Sequence, residues 1–208
     1  MPTRAELARS LRRVTAAGHR FTGAADHLVS EALYLDDPEG NGIEIYRDRP
    51  QEQWSYDDGR LQMGTLPLDL DGVLASAPAD AGETDTGVPP GTRIGHVHLQ
   101  VGTIPAAAAF YVDGLGFEPT VRTYPGALFV SAGGYHHHLG LNTWAGAGAP
   151  PPPPGARGLR SFTIVLPNEA AHEATVAALV AAGIALDEDG SSVSVTDPSG
   201  NRAVLATR

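Results

Sequence analysis

DPEGNGIEI at residues 37–45 and DPSGNRAVL at residues 197–205 are one pattern written twice. Each is an Asp-Pro turn closed by Gly and Asn, followed by a strand-like run. Each also lies downstream of a helix-like segment ending in Ala-Ala-Gly, at 16–18 and 181–183. Matching elements in matching order mean repeated structural units, each of which buries an apolar face against a neighbour.

The first copy opens with Thr3-Arg4-Ala5-Glu6, which has capping-box form. Leu7, Leu11 and Val14 follow at helical spacing, and Gly18 is a stop signal. Strand-like runs cover Val29–Leu35 and Gly42–Tyr46. In the last copy Ser161–Leu166 reads as a strand, Asn168 as a helix cap, and Val176, Leu179 and Val180 as one helix face. Val193–Val195 and Ala203–Ala206 are further strands. A third unit lies between them, with a strand over Ile94–Val101, a helix over Pro105–Leu115, and strands over Ala127–Ser131 and Tyr135–Asn142 around Gly133-Gly134.

The breaks between units are compositional. Residues 76–92, SAPADAGETDTGVPPGT, have no apolar period and read as a linker. Residues 145–158 contain Pro150 to Pro154, a stiff polyproline stretch. The expected organisation is an incomplete βαβββ module over 1–50, a connecting segment over 51–92, and a domain over 93–208 built from modules 93–144 and 158–208. The fold class is α+β, with a cupped mixed sheet. The first module starts directly at its helix, so its first strand is expected to lie before Met1, as in a truncated chain. Such a module would expose an apolar face and edge, with poor solubility or association through residues 1–50.

Length and composition narrow the function. A chain of 208 residues with 42% hydrophobic residues buries a substantial core. A net charge of −10 disfavours nucleic-acid binding, and no apolar run is long enough for a transmembrane helix. With no cysteine, thiolate chemistry and disulfides are excluded, which fits a cytoplasmic protein, and any metal site must use His, Asp or Glu.

Strand alternation selects the candidates. In 94–101, Val97, Leu99 and Val101 share one face, while His96, His98 and Gln100 share the other. In the last strand of that unit His137, Leu139 and Leu141 share a face, opposite His136, His138 and Asn142. In the first unit Ile43 and Ile45 face inward and Glu44 outward. A single strand His is usually just a satisfied polar residue, and Glu44 alone is the polar half of an alternating strand. Recurrence at equivalent points of repeated units favours a metal, since imidazole and carboxylate suit Fe(II), Mn(II), Ni(II) or Zn(II).

These residues also resemble a family. IGHVHL at 94–99, AFYVD at 109–113 and LGF at 115–117 are similar to the vicinal oxygen chelate superfamily, which includes glyoxalase I, bleomycin-resistance proteins and extradiol dioxygenases. VSEALYLDDPEGNGIEIYRDRP at 29–50 and LFVSAGGYHHHLGLNTW at 128–144 resemble the catechol 2,3-dioxygenase-type branch in particular.

The resemblance implies a divalent metal, foremost Fe(II), a catechol-like substrate, O₂ and a homo-oligomer. His96 matches the first-strand ligand and Glu44 the last-strand ligand. His138 is the position in the middle unit equivalent to Glu44. His98 and His136 are the expected acid/base groups, and Tyr34 and Tyr46 candidate pocket residues. Ser161 and Val204 stand at the ligand positions of the last unit, so that unit supplies none. Two module pairings remain open. If 93–144 pairs with 158–208, the cup offers His96 and His138 without a carboxylate. If it pairs with the first unit, Glu44, His96 and His138 converge. The alternative function is a small-molecule binder, or another glyoxalase-family protein, with a degenerate metal site.

Overall fold

The computed structural model describes residues 1–78, 87–189 and 192–207; residues 79–86, within the expected linker, lie outside the described residues. The fold is α+β, in two compact units, Met1–Ile94 and Gly95–Arg208.

The first unit starts with α1 (Arg4–Ala16), and the Thr3 side chain accepts from the Glu6 N–H as the sequence predicts. Then come β1 (Gly23–Asp26), β2 (Ser30–Asp36) and β3 (Gly42–Asp48), a three-stranded antiparallel sheet in the order β1-β2-β3. A short hairpin follows, β4 (Tyr56–Asp57) and β5 (Arg60–Leu61), and then α2 (Leu70–Ala75), capped by Asp69. Leu7, Ala8, Leu33, Val73 and Ala77 form the buried core, so both helices pack on the sheet's apolar side.

The second unit holds two modules of one plan. The first contains β6 (Val97–Gln100), α3 (Ile104–Ala108), β7 (Glu118–Val121), β8 (Ala127–Ser131) and β9 (Leu139–Asn142), with sheet order β6-β9-β8-β7. The second contains β10 (Phe162–Leu166), α4 (Glu169–Ala181), β11 (Leu186–Asp189), β12 (Ser192–Thr196) and β13 (Arg202–Thr207), with order β10-β13-β12-β11. In each, the first strand runs parallel to the last, which a crossover helix permits. Leu99, Tyr111, Leu128 and Leu141 of one module share a core with Phe162, Leu179 and Leu205 of the other. No helix among the described residues is long and apolar enough to cross a membrane.

The repeated turn is the same object in both units. Asp37 Oδ1 accepts from the N–H groups of Glu39 and Asn41 at 2.8 Å each, and Oδ2 accepts from Asn41 Nδ2 at 2.8 Å. Asp197 repeats this with Ser199 and Asn201 at 2.8, 2.8 and 2.9 Å. Gly40 (φ 85°) and Gly200 (φ 88°) supply the left-handed residue that each turn needs. These donors, the Asn41 side chain foremost, hold the Asp37 carboxyl below the usual carboxylate range.

The second copy also joins modules. Ser199 Oγ accepts from the Gly102 N–H at 2.9 Å, and Asn201 Nδ2 donates to the Gln100 carbonyl at 3.1 Å. Tyr111 donates to Asp197 Oδ2 at 3.0 Å, and both residues are buried. Burial first, and then the Asp197 charge, push the Tyr111 hydroxyl far above the ordinary phenol range, so it remains a donor. Tyr111→Phe is expected to cost about 1.5–3 kcal/mol, the range for a hydrogen bond to a charged group. Urea unfolding would measure it; no change in midpoint would show that Asp197 is satisfied by its own turn.

The strand β1, the β4–β5 hairpin and α2 are additional to the elements expected from the sequence, and two expected elements of the middle module change form. The helix expected over Pro105–Leu115 is α-helical only to Ala108, and Ala109–Gly114 forms a wider π-turn closed by the Leu115 N–H on the Phe110 carbonyl. Adjacent Phe110 and Tyr111 both face inward from it. The strand expected from Tyr135 begins only at Leu139. Gly133 (φ 67°) and Gly134 (φ 75°) make the tight turn after β8, and the chain then stays irregular through His137, where the His136 carbonyl accepts from the Thr120 hydroxyl.

Candidate metal centre

That late strand start shapes the site. β6 and β9 pair with His98 opposite Gly140. Alternation sends Leu99 into the core and His98 to the other, exposed face. His96, just before β6, lies beside it, with ring centroids 5.2 Å apart. His137 sits in the irregular segment before β9. It is therefore not bound to the apolar face that strict alternation assigns it, and its ring lies 4.3 Å from His96 and 5.8 Å from His98.

One ligating atom from each of His96, His98 and His137 lies within 4.8 Å of the other two. Two nitrogens bound to one tetrahedral ion at about 2.1 Å each are about 3.4 Å apart, so the rings must close by roughly an ångström to share an ion. Three neutral imidazoles are a fitting donor set for a divalent first-row cation. The triple runs from the buried His137 to the exposed His98, so an ion reaches it from the solvent side. Phe129, on β8 opposite Gly140, presents its edge to His137 at 4.9 Å and to His98 at 6.0 Å, an apolar wall against the imidazoles.

His136 stands behind His137, fully buried, with the two Nδ1 atoms 2.8 Å apart. One of them must donate. When His137 donates, its Nε2 carries the lone pair and can ligate, the usual arrangement in which a partner group fixes the ligand's tautomer. Thr120 Oγ1 donates to the His136 carbonyl at 2.7 Å and holds that segment.

The other expected ligands, His138 and Glu44, are not members of this three-histidine set. His138 Nδ1 meets Ser131 Oγ at 3.0 Å and accepts from the Ala132 N–H at 3.2 Å. Glu44 is in the first unit, where Tyr34 donates to its Oε1 at 3.0 Å and Tyr34 in turn meets His27 Nε2 at 2.5 Å. His27 Nδ1 donates to the Gly64 carbonyl at 2.6 Å. His27, Tyr34 and Glu44 thus form a hydrogen-bonded chain within the first unit. Of the residues singled out in the sequence, the triple contains His96 and His98. His137 was missed because it was assigned to a strand that begins only at Leu139. His27 was missed because nothing local marks it.

Residues 93–205 match the family model described as the Glyoxalase/Bleomycin resistance protein/Dioxygenase superfamily. Over 201 residues the chain is 47% identical to a catechol-2,3-dioxygenase of Bacillus subtilis, covering 95% of this chain and 69% of that protein. The chain belongs to this superfamily. Among solved structures, a lactoylglutathione lyase from Agrobacterium tumefaciens is 25% identical with a TM-score of 0.45, over 57% of this chain and 96% of the other. An antibiotic binding protein from a Streptomyces species is also 25% identical, with a TM-score of 0.42, over 56% of this chain and 95% of the other. Membership of the superfamily agrees with the βαβββ plan of the second unit, and the dioxygenase relative, which spans nearly the whole chain, implies a divalent metal.

Proposed function

We propose that this chain is an extradiol ring-cleaving dioxygenase acting on a catechol-like substrate, with a divalent metal, foremost Fe(II). The 47% identity to a catechol-2,3-dioxygenase over 95% of the chain carries this reading. The convergence of His96, His98 and His137 supports it, since it offers donors for the metal such chemistry needs. When bound, the cation supplies Lewis acidity toward two vicinal oxygens and a port for O₂. The chain's own part is to orient. His136 sets the tautomer of His137, Phe129 walls the imidazoles on one side, and His98 faces the solvent from which a substrate arrives. The reaction consumes one O₂ per ring, cleaves the C–C bond beside the diol, and keeps both oxygen atoms in the product.

The test is anaerobic loading of the full chain with Fe(II), followed by oxygen uptake with catechol. One O₂ per catechol is expected, with no uptake by Zn(II)-loaded protein, because Zn(II) has no redox chemistry. Metal-replete protein that consumes no oxygen with catechol or its ring-substituted forms would refute the reading.

A second reading rests on the last module. Ser161 and Val204 occupy its expected ligand positions, and among the described residues none of this module joins the three-histidine set. A small-molecule binder with a vestigial metal site would bind aromatic ligands equally well with and without metal, which calorimetry resolves.

A further inference from the structure

Trp144 is the large aromatic residue beside this centre, and 56% of it is exposed. Scattered exposed apolar residues are ordinary and carry no meaning singly. Trp144 differs in how it is held. Its indole N–H donates to the Pro125 carbonyl at 3.2 Å, and its backbone N–H donates to Asn142 Oδ1 at 3.3 Å. The neighbouring Thr143 N–H donates to the Gly126 carbonyl at 2.9 Å. Gly126 (φ 67°) lies so close that a Cβ there would stand 3.6 Å from two indole atoms. The ring is therefore clamped at its polar edge while much of its π-surface meets water.

Its neighbours are the site. The indole stacks on His98 with centroids 6.2 Å apart and planes 27° from parallel. Tyr124 lies 6.1 Å away on one side and itself packs edge-on against Phe129, the wall of the histidine triple. A planar, anchored, solvent-facing indole next to three convergent imidazoles is suited to a ligand with a flat ring at one end and metal-binding atoms at the other. An aromatic face held rigid before binding also costs little ordering entropy when the ring arrives.

We propose that Trp144 is the stacking face for the aromatic ring of a ligand chelated at the His96–His98–His137 centre, and so selects planar aromatic chelators over aliphatic ones. The proposal rests on the metal-dependent reading of that centre, but its test does not require turnover.

The full chain is loaded with Zn(II) and titrated anaerobically by calorimetry with catechol and, separately, with acetohydroxamate, a bidentate oxygen chelator without a ring. Trp144→Leu is expected to weaken catechol binding roughly 3- to 10-fold, in line with aromatic pair energies, and to leave acetohydroxamate unchanged. Trp144→Phe is expected to recover most of the loss, which a merely structural role of the indole would not predict. Unchanged catechol affinity in Trp144→Leu, an equal loss for both chelators, or no binding of either by the zinc-loaded protein would overturn the proposal. Ring-selective binding without oxygen uptake by the Fe(II) form would uphold Trp144 and refute the dioxygenase. Uptake by Trp144→Leu with an unaltered KM for catechol would do the reverse.

Discussion

Glu31→Ala is expected to destabilise the first unit by about 3–5 kcal/mol, the cost of breaking a buried ion pair from one side. The Glu31 side chain is 2% exposed and meets three guanidinium groups. Arg4 Nε lies 3.1 and 3.0 Å from its two oxygens, Arg47 Nε lies 2.8 Å from Oε2, and Arg49 lies 3.5 Å from Oε1. Arg4 comes from the first turn of α1, Glu31 from β2, Arg47 from the facing position of β3, and Arg49 from just beyond it. One carboxylate thus ties the helix to two strands.

Removing that carboxylate leaves three cations with two counter-charges. Asp26 is a close partner of Arg49 at 2.6 Å, whereas Asp69 is 69% exposed and 3.6 Å from Arg4. The Glu31 side chain, by its hydrogen bond above all, also raises the Arg4 pKa further. Two controls separate charge from shape. Glu31→Gln keeps the size and one acceptor and is expected to cost less than the alanine. Asp69→Asn, which removes the charge of an exposed pair and keeps the α2 cap, is expected to cost under about 1 kcal/mol. Trp54 is buried in this unit with its indole N–H on the Arg49 carbonyl at 3.0 Å, so its fluorescence in a Trp144→Phe background reports the unfolding. A loss below about 1 kcal/mol for Glu31→Ala would mean that the network contributes only what an exposed pair does.

That network shows where a sequence stops being readable. The Asp37 and Asp197 turns, the Thr3 and Asn168 caps and the His96–His98 alternation were legible because each is decided within a few residues of chain. Nothing within a few residues of Glu31 marks it. Only the register that sets it opposite Arg47, and the helix that brings Arg4, make it a buried hub. Some missed elements did carry a local signal. Asp58-Gly59 adopts the two positive φ values of a tight hairpin turn, 48° and 72°, and an Asp-Gly pair is a known marker of one. The Gly133-Gly134 pair marks the turn before His136–His138, but nothing local marks that the chain stays irregular up to Leu139. His137 therefore had no face assignable from sequence, and the donor triple needed the fold to appear. Gly140 carried no such signal, because its importance depends on which residue the neighbouring strand sets against it.

Gly140→Ala is expected to weaken metal binding at the histidine centre by about 10–100-fold, the loss typical when a residue that orients a ligand is changed. A Cβ built on Gly140 would stand 2.6 Å from both Cε1 and Nδ1 of His98 and 3.2 Å from its Cγ. A glycine inside a strand usually weakens it and marks a close approach, here by the His98 imidazole. The Gly140 backbone is extended within β9, with no positive φ, so alanine fits the chain itself. The clash is with an exposed side chain that has somewhere to go. His98 is expected to rotate out toward solvent, leaving the fold intact and the triple with two members.

The signature is therefore a split. Alanine in place of a strand glycine reduces unfolded-state entropy, so stability is expected to stay level or rise by up to about 1 kcal/mol while affinity falls. Zn(II) or Co(II) titration followed by calorimetry measures the affinity, and thermal unfolding of the metal-free protein measures the stability. A double-mutant cycle closes the argument. If Gly140 acts through His98 alone, Gly140→Ala added to His98→Ala changes the affinity no further, because the ring to be displaced is already gone. A full additional loss in the double variant would mean that the glycine serves the β9 backbone or His137 instead. A lower unfolding midpoint that matched the lost affinity would place the effect in the fold and not in the site.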